Sequence, residues 1–61
     1  MAKKILIIDD SALMRRVISD IIKQNNQYEV ADFANNGLEG FDKIVSNPQM
    51  YDAVILDINM P

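Results

Sequence analysis

The chain has no cysteine, no histidine and no tryptophan, and only two glycines and two prolines in 61 residues. Without cysteine there is neither a disulfide framework nor a thiolate metal site to supplement a small core. The lack of histidine also removes imidazole bases and, with cysteine gone, zinc-finger ligation and Cys or His nucleophiles. Any chemistry must run on carboxylates. Long apolar runs are missing as well. Ile5–Ile8 behind Lys3-Lys4 is too short for a signal-peptide core of roughly seven to fifteen residues. Nothing approaches the ~20 residues of a membrane span, so a cytoplasmic protein with no membrane contact is expected. Six basic residues against nine acids give a net charge of −3, with no basic stripe carrying interleaved aromatics; direct nucleic-acid contact is not expected.

What is present is an ordinary globular composition, 49% hydrophobic and 25% charged, unlike a disordered chain. A domain of about 60 residues buries only ~60% of the surface its unfolded form exposes, so the core must be small. Lys4 to Ile8 is a continuous, mostly β-branched run, the pattern of a strand buried on both faces. Asp9-Asp10-Ser11 stops it and supplies N-cap chemistry. Met14, Val17, Ile18 and Ile21 then recur at helical spacing, which predicts an amphipathic helix of about four turns. Asn25-Asn26-Gln27 breaks that helix, and Tyr28 to Ala34 alternates loosely as a second strand. With Asn36 as N-cap, Glu39 completes a capping-box variant, and Leu38, Phe41, Ile44 and Val45 form the apolar face of a second helix that Ser46-Asn47-Pro48 ends. Tyr51 to Leu56 reads as a third strand, apolar on both faces.

Strands alternating with helices predict an α/β fold: a βαβαβ unit with a parallel sheet and right-handed crossovers. Ligands of such sheets bind beyond the carboxyl ends of the strands, where the strand order reverses. In the order 2-1-3 that crevice lies between strands one and three, and it receives Asp9, Asp10 and Asp57. At an effective dielectric of ~20, two full charges ~4 Å apart repel by roughly 4 kcal/mol, so three carboxylates there demand a proton or a cation. Hard oxygen donors suit Mg²⁺, and a metal-held phosphate beside a carboxylate nucleophile implies an acyl phosphate.

These residues resemble the receiver domain of two-component response regulators, the CheY-like, flavodoxin-like doubly wound fold. The matching pieces are Asp9-Asp10, then Ser11 to Arg15, Asn36-Gly37, and Leu56 to Pro61. The resemblance implies a phosphoacceptor at Asp57, served by a sensor histidine kinase or a small phosphodonor in chemotaxis or transcriptional signalling. It implies Mg²⁺ held by Asp10, Asp57 and the backbone carbonyl of Asn59, with Asp9 acting through water. The family's later Ser or Thr, Lys and aromatic switch residues have no counterpart here, so residues 1–61 are expected to be the N-terminal fragment of one receiver domain that does not signal alone. Ala12-Leu13-Met14-Arg15 is similar to the receiver of protein-glutamate methylesterases, which makes the N-terminal part of such an enzyme one alternative. A second is an aspartyl-phosphate phosphatase of the haloacid dehalogenase type, mimicked by Asp57-Ile58-Asn59. The open edge of strand three predicts self-association.

Overall fold

The computed structural model describes residues 2–57. Five elements follow in order: β1 (Lys3–Ile8), α1 (Ala12–Lys23), β2 (Tyr28–Ala34), α2 (Gly37–Ser46) and β3 (Ala53–Leu56). The three strands form one parallel sheet in the order β2-β1-β3. The central place of β1 follows from its sequence, because only a strand flanked on both edges and covered on both faces can bury four consecutive aliphatic residues. Ile5, Leu6, Ile7 and Ile8 are all buried.

The side-chain alternation of β1 divides the core in two. Ile5 and Ile7 pack with Ile22 and Ile18 of α1, Val30 and Ile55. Leu6 and Ile8 pack on the opposite face with Ala34, Ile44 of α2 and Tyr51. Each fully buried aliphatic side chain contributes about 1.5–3 kcal/mol, so β1 is the largest single source of stability.

The helices begin at their anticipated caps. Ser11 Oγ accepts the Met14 N–H at 3.2 Å, and Asn36 Oδ1 accepts the Glu39 N–H at 2.8 Å. The reciprocal arm of the second box is displaced by one residue, since Glu39 Oε2 accepts the Asn35 N–H, at 3.2 Å. This still satisfies a backbone donor ahead of the helix.

Three expectations about packing need correction. In α1 the buried line runs through Ile18, Ser19 and Ile22, while Met14, Val17 and Ile21 are exposed. In α2 only Ile44 of the expected apolar face reaches the core; Leu38, Phe41 and Val45 are exposed. The reason is Gly40, which lies buried against β1. A Cβ there would stand 2.9 Å from Ile8 Cγ1, and closer still to Ile8 Cδ1. Only a residue without a side chain permits this approach, so the glycine line faces the sheet and the larger apolar residues are turned aside. In β3, Val54 and Leu56 are exposed, because α2 lies over β1 and β2 and leaves β3 uncovered on that face.

The loose alternation of β2 also has a structural cause. Its register shifts between Ile5↔Val30 and Leu6↔Asp32, leaving Ala31 as an extra residue. Such a bulge reverses the facing of the strand residues beyond it. Val30 therefore joins the α1 side, and Asp32 emerges on the α2 side.

Candidate metal and phosphoacceptor site

Two strand ends build the site. Asp9 continues directly from β1 and is tied to the neighbouring strand by its N–H to Ala34 O bond of 3.1 Å. The Asp57 N–H donates to Ile8 O at 3.1 Å, which extends the β1–β3 ladder by one step. At the other end of the same ladder, Asp52 exchanges bonds with Lys4: its N–H donates to Lys4 O at 2.7 Å, and its carboxylate accepts the Lys4 N–H at 2.7 Å. This exchange starts β3 at Ala53 rather than Tyr51 and pins its register against β1. Register then dictates that the two acidic ends coincide.

One carboxylate oxygen from each of Asp9, Asp10 and Asp57 lies within 4.8 Å of the others. Their environments differ. Asp9 is 2% exposed, Asp57 is half-buried and Asp10 faces solvent. The Asp9 carboxylate accepts the Ser11 N–H at 2.9 Å, an Asx turn that fixes its direction and delivers Ser11 to its capping position. Arg15 Nη1 donates to the backbone carbonyl of Asp9 at 2.6 Å. Arg15 is thus more than the solvated residue its place in the sequence suggests. With Arg16, Lys23 and Phe33 it also lines a groove of about 390 Å³ between α1 and β2.

The donor set fits a small hard cation. Three carboxylates supply oxygen only, and their spread of burial leaves room for water and a phosphate oxygen, as Mg²⁺ prefers. At this spacing and an effective dielectric of ~20, each pair of charges repels by roughly 3–4 kcal/mol before solvent screening. Asn59, anticipated as a further ligand through its carbonyl, lies outside the described residues.

A second acidic centre was not anticipated. On the α2 face, Asp32 accepts from Lys43 Nζ at 3.0 Å, from the Tyr51 hydroxyl at 3.1 Å and from the Phe33 N–H at 2.8 Å. Partial burial pushes the Asp32 carboxyl up. The bonds from Lys43, Phe33 and Tyr51 and the lysine charge outweigh it and hold the group below its ordinary value. The same contact raises Lys43, against the opposing effect of burial. Tyr51 is raised by burial and by its bond to Asp32. The signal that could have revealed this centre is an acid inside an apolar strand facing a lysine one helix away, which becomes legible only once the bulge is known.

Comparison with known proteins places this geometry in a class. Residues 5–61 match the family model described as the response regulator receiver domain, and the chain belongs to that family. Among curated proteins it is 42% identical over 59 residues to a protein-glutamate methylesterase/protein-glutamine glutaminase of Syntrophomonas wolfei, covering 97% of this chain and 16% of that protein. It is 41% identical over all 61 residues to the corresponding protein of Vibrio parahaemolyticus, again 16% of its length. The chain therefore spans about one-sixth of these relatives. Among solved structures, a crystal structure of the P1 domain of CheA3 in complex with CheY6 from R. sphaeroides aligns at a TM-score of 0.85 and 39% identity. The alignment covers 97% of this chain and 45% of that one. The fold, three parallel strands and two helices, is CheY-like.

Proposed function

We propose that Asp57 is the phosphoacceptor of this receiver and that Asp10 and Asp57, with Asp9 behind them, hold Mg²⁺. The observation that carries this reading is the meeting of the three carboxylates within 4.8 Å at the carboxyl edge. A carboxylate oxygen of Asp57 attacks the phosphorus of the donor in line. The new O–P bond forms as the donor's N–P or O–P bond breaks, and the electron pair leaves with the imidazole or the carboxylate of the donor. Bound Mg²⁺ supplies positive charge that offsets repulsion between the nucleophile and the phosphoryl oxygens. Asp9, oriented by the Ser11 N–H and buried beneath the cluster, adds negative charge that favours cation occupancy. Asp10, facing solvent, stands at the open side of the crevice.

The partner in this reading is the phosphotransfer domain of a sensor kinase, supported by the complex in which the structural neighbour was solved. The names of the curated relatives support a place in chemotaxis signalling, as the receiver end of a longer protein-glutamate methylesterase. A cytoplasmic location accords with the absence, among the described residues, of any helix long and apolar enough to cross a membrane. No observation favours a phosphatase of the haloacid dehalogenase type.

Exposure to acetyl phosphate and Mg²⁺, followed by mass spectrometry, tests the acceptor. The expected result is addition of one phosphoryl group, absent in Asp57→Asn and absent when Mg²⁺ is chelated. Equal addition to the wild type and Asp57→Asn would move the acceptor elsewhere.

A further inference from the structure

The sheet provides no donor for the backbone carbonyl of Asp9. The Asp9 N–H continues the β1–β2 ladder to Ala34 O at 3.1 Å. On the parallel pattern the carbonyl of the same residue points to the same neighbouring strand, toward the N–H two residues past Ala34, that of Asn36. β2 ends at Ala34, however, and Asn36 is already the N-cap of α2. No bond joins the two among the described residues. Because Asp9 is buried, an unanswered carbonyl here would be costly. Arg15 Nη1 takes the place of the missing strand donor, at 2.6 Å, in a charge-assisted bond.

That bond closes a ring through the first turn of α1. The Arg15 N–H donates to Ser11 O at 3.0 Å, the Ser11 N–H donates to the Asp9 carboxylate at 2.9 Å, and the Arg15 guanidinium returns to the Asp9 carbonyl. The Asp9 carbonyl and the Asp10 N–H belong to one planar peptide. A carbonyl held on the β2 side therefore fixes the plane from which the Asp10 side chain departs. The Ser11 bond aims one carboxylate of the cluster; the Arg15 bond sets the base of the next.

We propose that Arg15 is a positioning residue of the carboxylate cluster, orienting the Asp9–Asp10 peptide so that Asp10 meets Asp9 and Asp57 around a common cation. The inference rests on the reading of that cluster as a Mg²⁺ site. Its sign is distinctive. Arg15 carries positive charge, so by charge alone its removal would favour a bound cation. Loss of a positioning bond frees Asp10 to turn into solvent, which weakens cation binding. The two roles predict opposite changes in affinity.

Calorimetric titration of Mg²⁺ into the wild-type chain, Arg15→Met, Arg15→Lys and Arg16→Met tests the proposal, with far-UV circular dichroism to verify folding. Arg15→Met keeps an unbranched stem but has neither donor nor charge, and should weaken binding about fivefold or more. Arg15→Lys retains a charged donor for the single bond and should return affinity to within about twofold of the wild type. Arg16→Met removes the adjacent exposed charge and should leave affinity equal or slightly higher. In metal-free buffer the Ser11 amide, which closes the ring, should exchange hydrogen faster in Arg15→Met while the Leu6 and Ile7 amides do not. If Arg15→Met is unfolded, Arg15→Gln, shorter and uncharged, takes its place with the same expectation. Unchanged or tighter Mg²⁺ binding by the neutral Arg15 variant, or equal weakening by Arg16→Met, would overturn the proposal and leave the cation site standing. A wild-type chain that binds no Mg²⁺ would remove the cation site itself, and the proposal with it.

Discussion

The molecule contains two acidic centres that treat charge in opposite ways. Asp32 is one carboxylate surrounded by donors: a lysine, a tyrosine hydroxyl and a backbone N–H. Asp9, Asp10 and Asp57 are three carboxylates brought within 4.8 Å of one another by two strand ends. The first centre joins β2, α2 and the approach to β3, so its interactions are spent within the fold. The second concentrates like charge at a sheet edge, an arrangement that in the proposed reading a cation would offset. Acids that a structure neutralises hold it together; acids that it gathers are available to a ligand.

The largest effect expected on this contrast comes from the scaffold of the first centre. Gly40→Ala would push α2 away from Ile8 and draw Lys43 from Asp32, costing about 1–3 kcal/mol. Urea unfolding followed by circular dichroism would read the loss. The stabilisation expected from Mg²⁺ at the acidic cluster, which adjoins Ile8 at the same end of β1, should persist in any population that remains folded.

Neutralising one member of the gathered acids should do the reverse. In metal-free buffer Asp10→Asn is expected to stabilise the chain by about 1 kcal/mol, most of the pairwise repulsion being screened at this exposed position. The wild type is expected to gain thermal stability on addition of Mg²⁺, and the variant to lose that gain. A destabilised Asp10→Asn would erase the distinction between the two centres.

The smallest effect belongs to Asp32→Asn, about 0.5–1 kcal/mol for a pair whose side chains are 29% and 34% exposed. Its pH dependence identifies it. Asp32 is held below its ordinary value, so its contribution is complete above the unfolded carboxyl pKa of about 4 and disappears as pH falls through the lower folded value. Lys43 and Tyr51 are raised, so theirs is complete below about pH 10 and fades as pH rises through their folded values. The wild type minus Asp32→Asn stability difference should thus be flat between about pH 5 and 9 and shrink on both sides.

Much of this was legible in the sequence. The four aliphatic residues of β1 and the change to helical spacing after Ser11 pointed to the element order, and with the first strand taken as central Asp9, Asp10 and Asp57 fall at the reversal of strand order, where the structure brings them together. Hidden features were those in which one residue changes the phase of a pattern. Ala31 shifts the facing of β2, so Asp32 could not be assigned to the α2 side from alternation alone. Gly40 carries no hydrophobic signal, yet its close approach to Ile8 decides which flank of α2 is buried. Arg15 reads as a surface charge until the turn at Asp9 brings a carbonyl beneath its guanidinium.

If the Asp9–Asp10–Asp57 cluster is a cation site completed by the nucleophile itself, removing the charge of Asp57 must cost metal affinity. Calorimetric titration of Mg²⁺ into the wild type and into Asp57→Asn tests this most directly. Saturable binding by the wild type at one site per chain, weakened at least tenfold in the variant, is the predicted result. Superimposable titrations of the two proteins would contradict it.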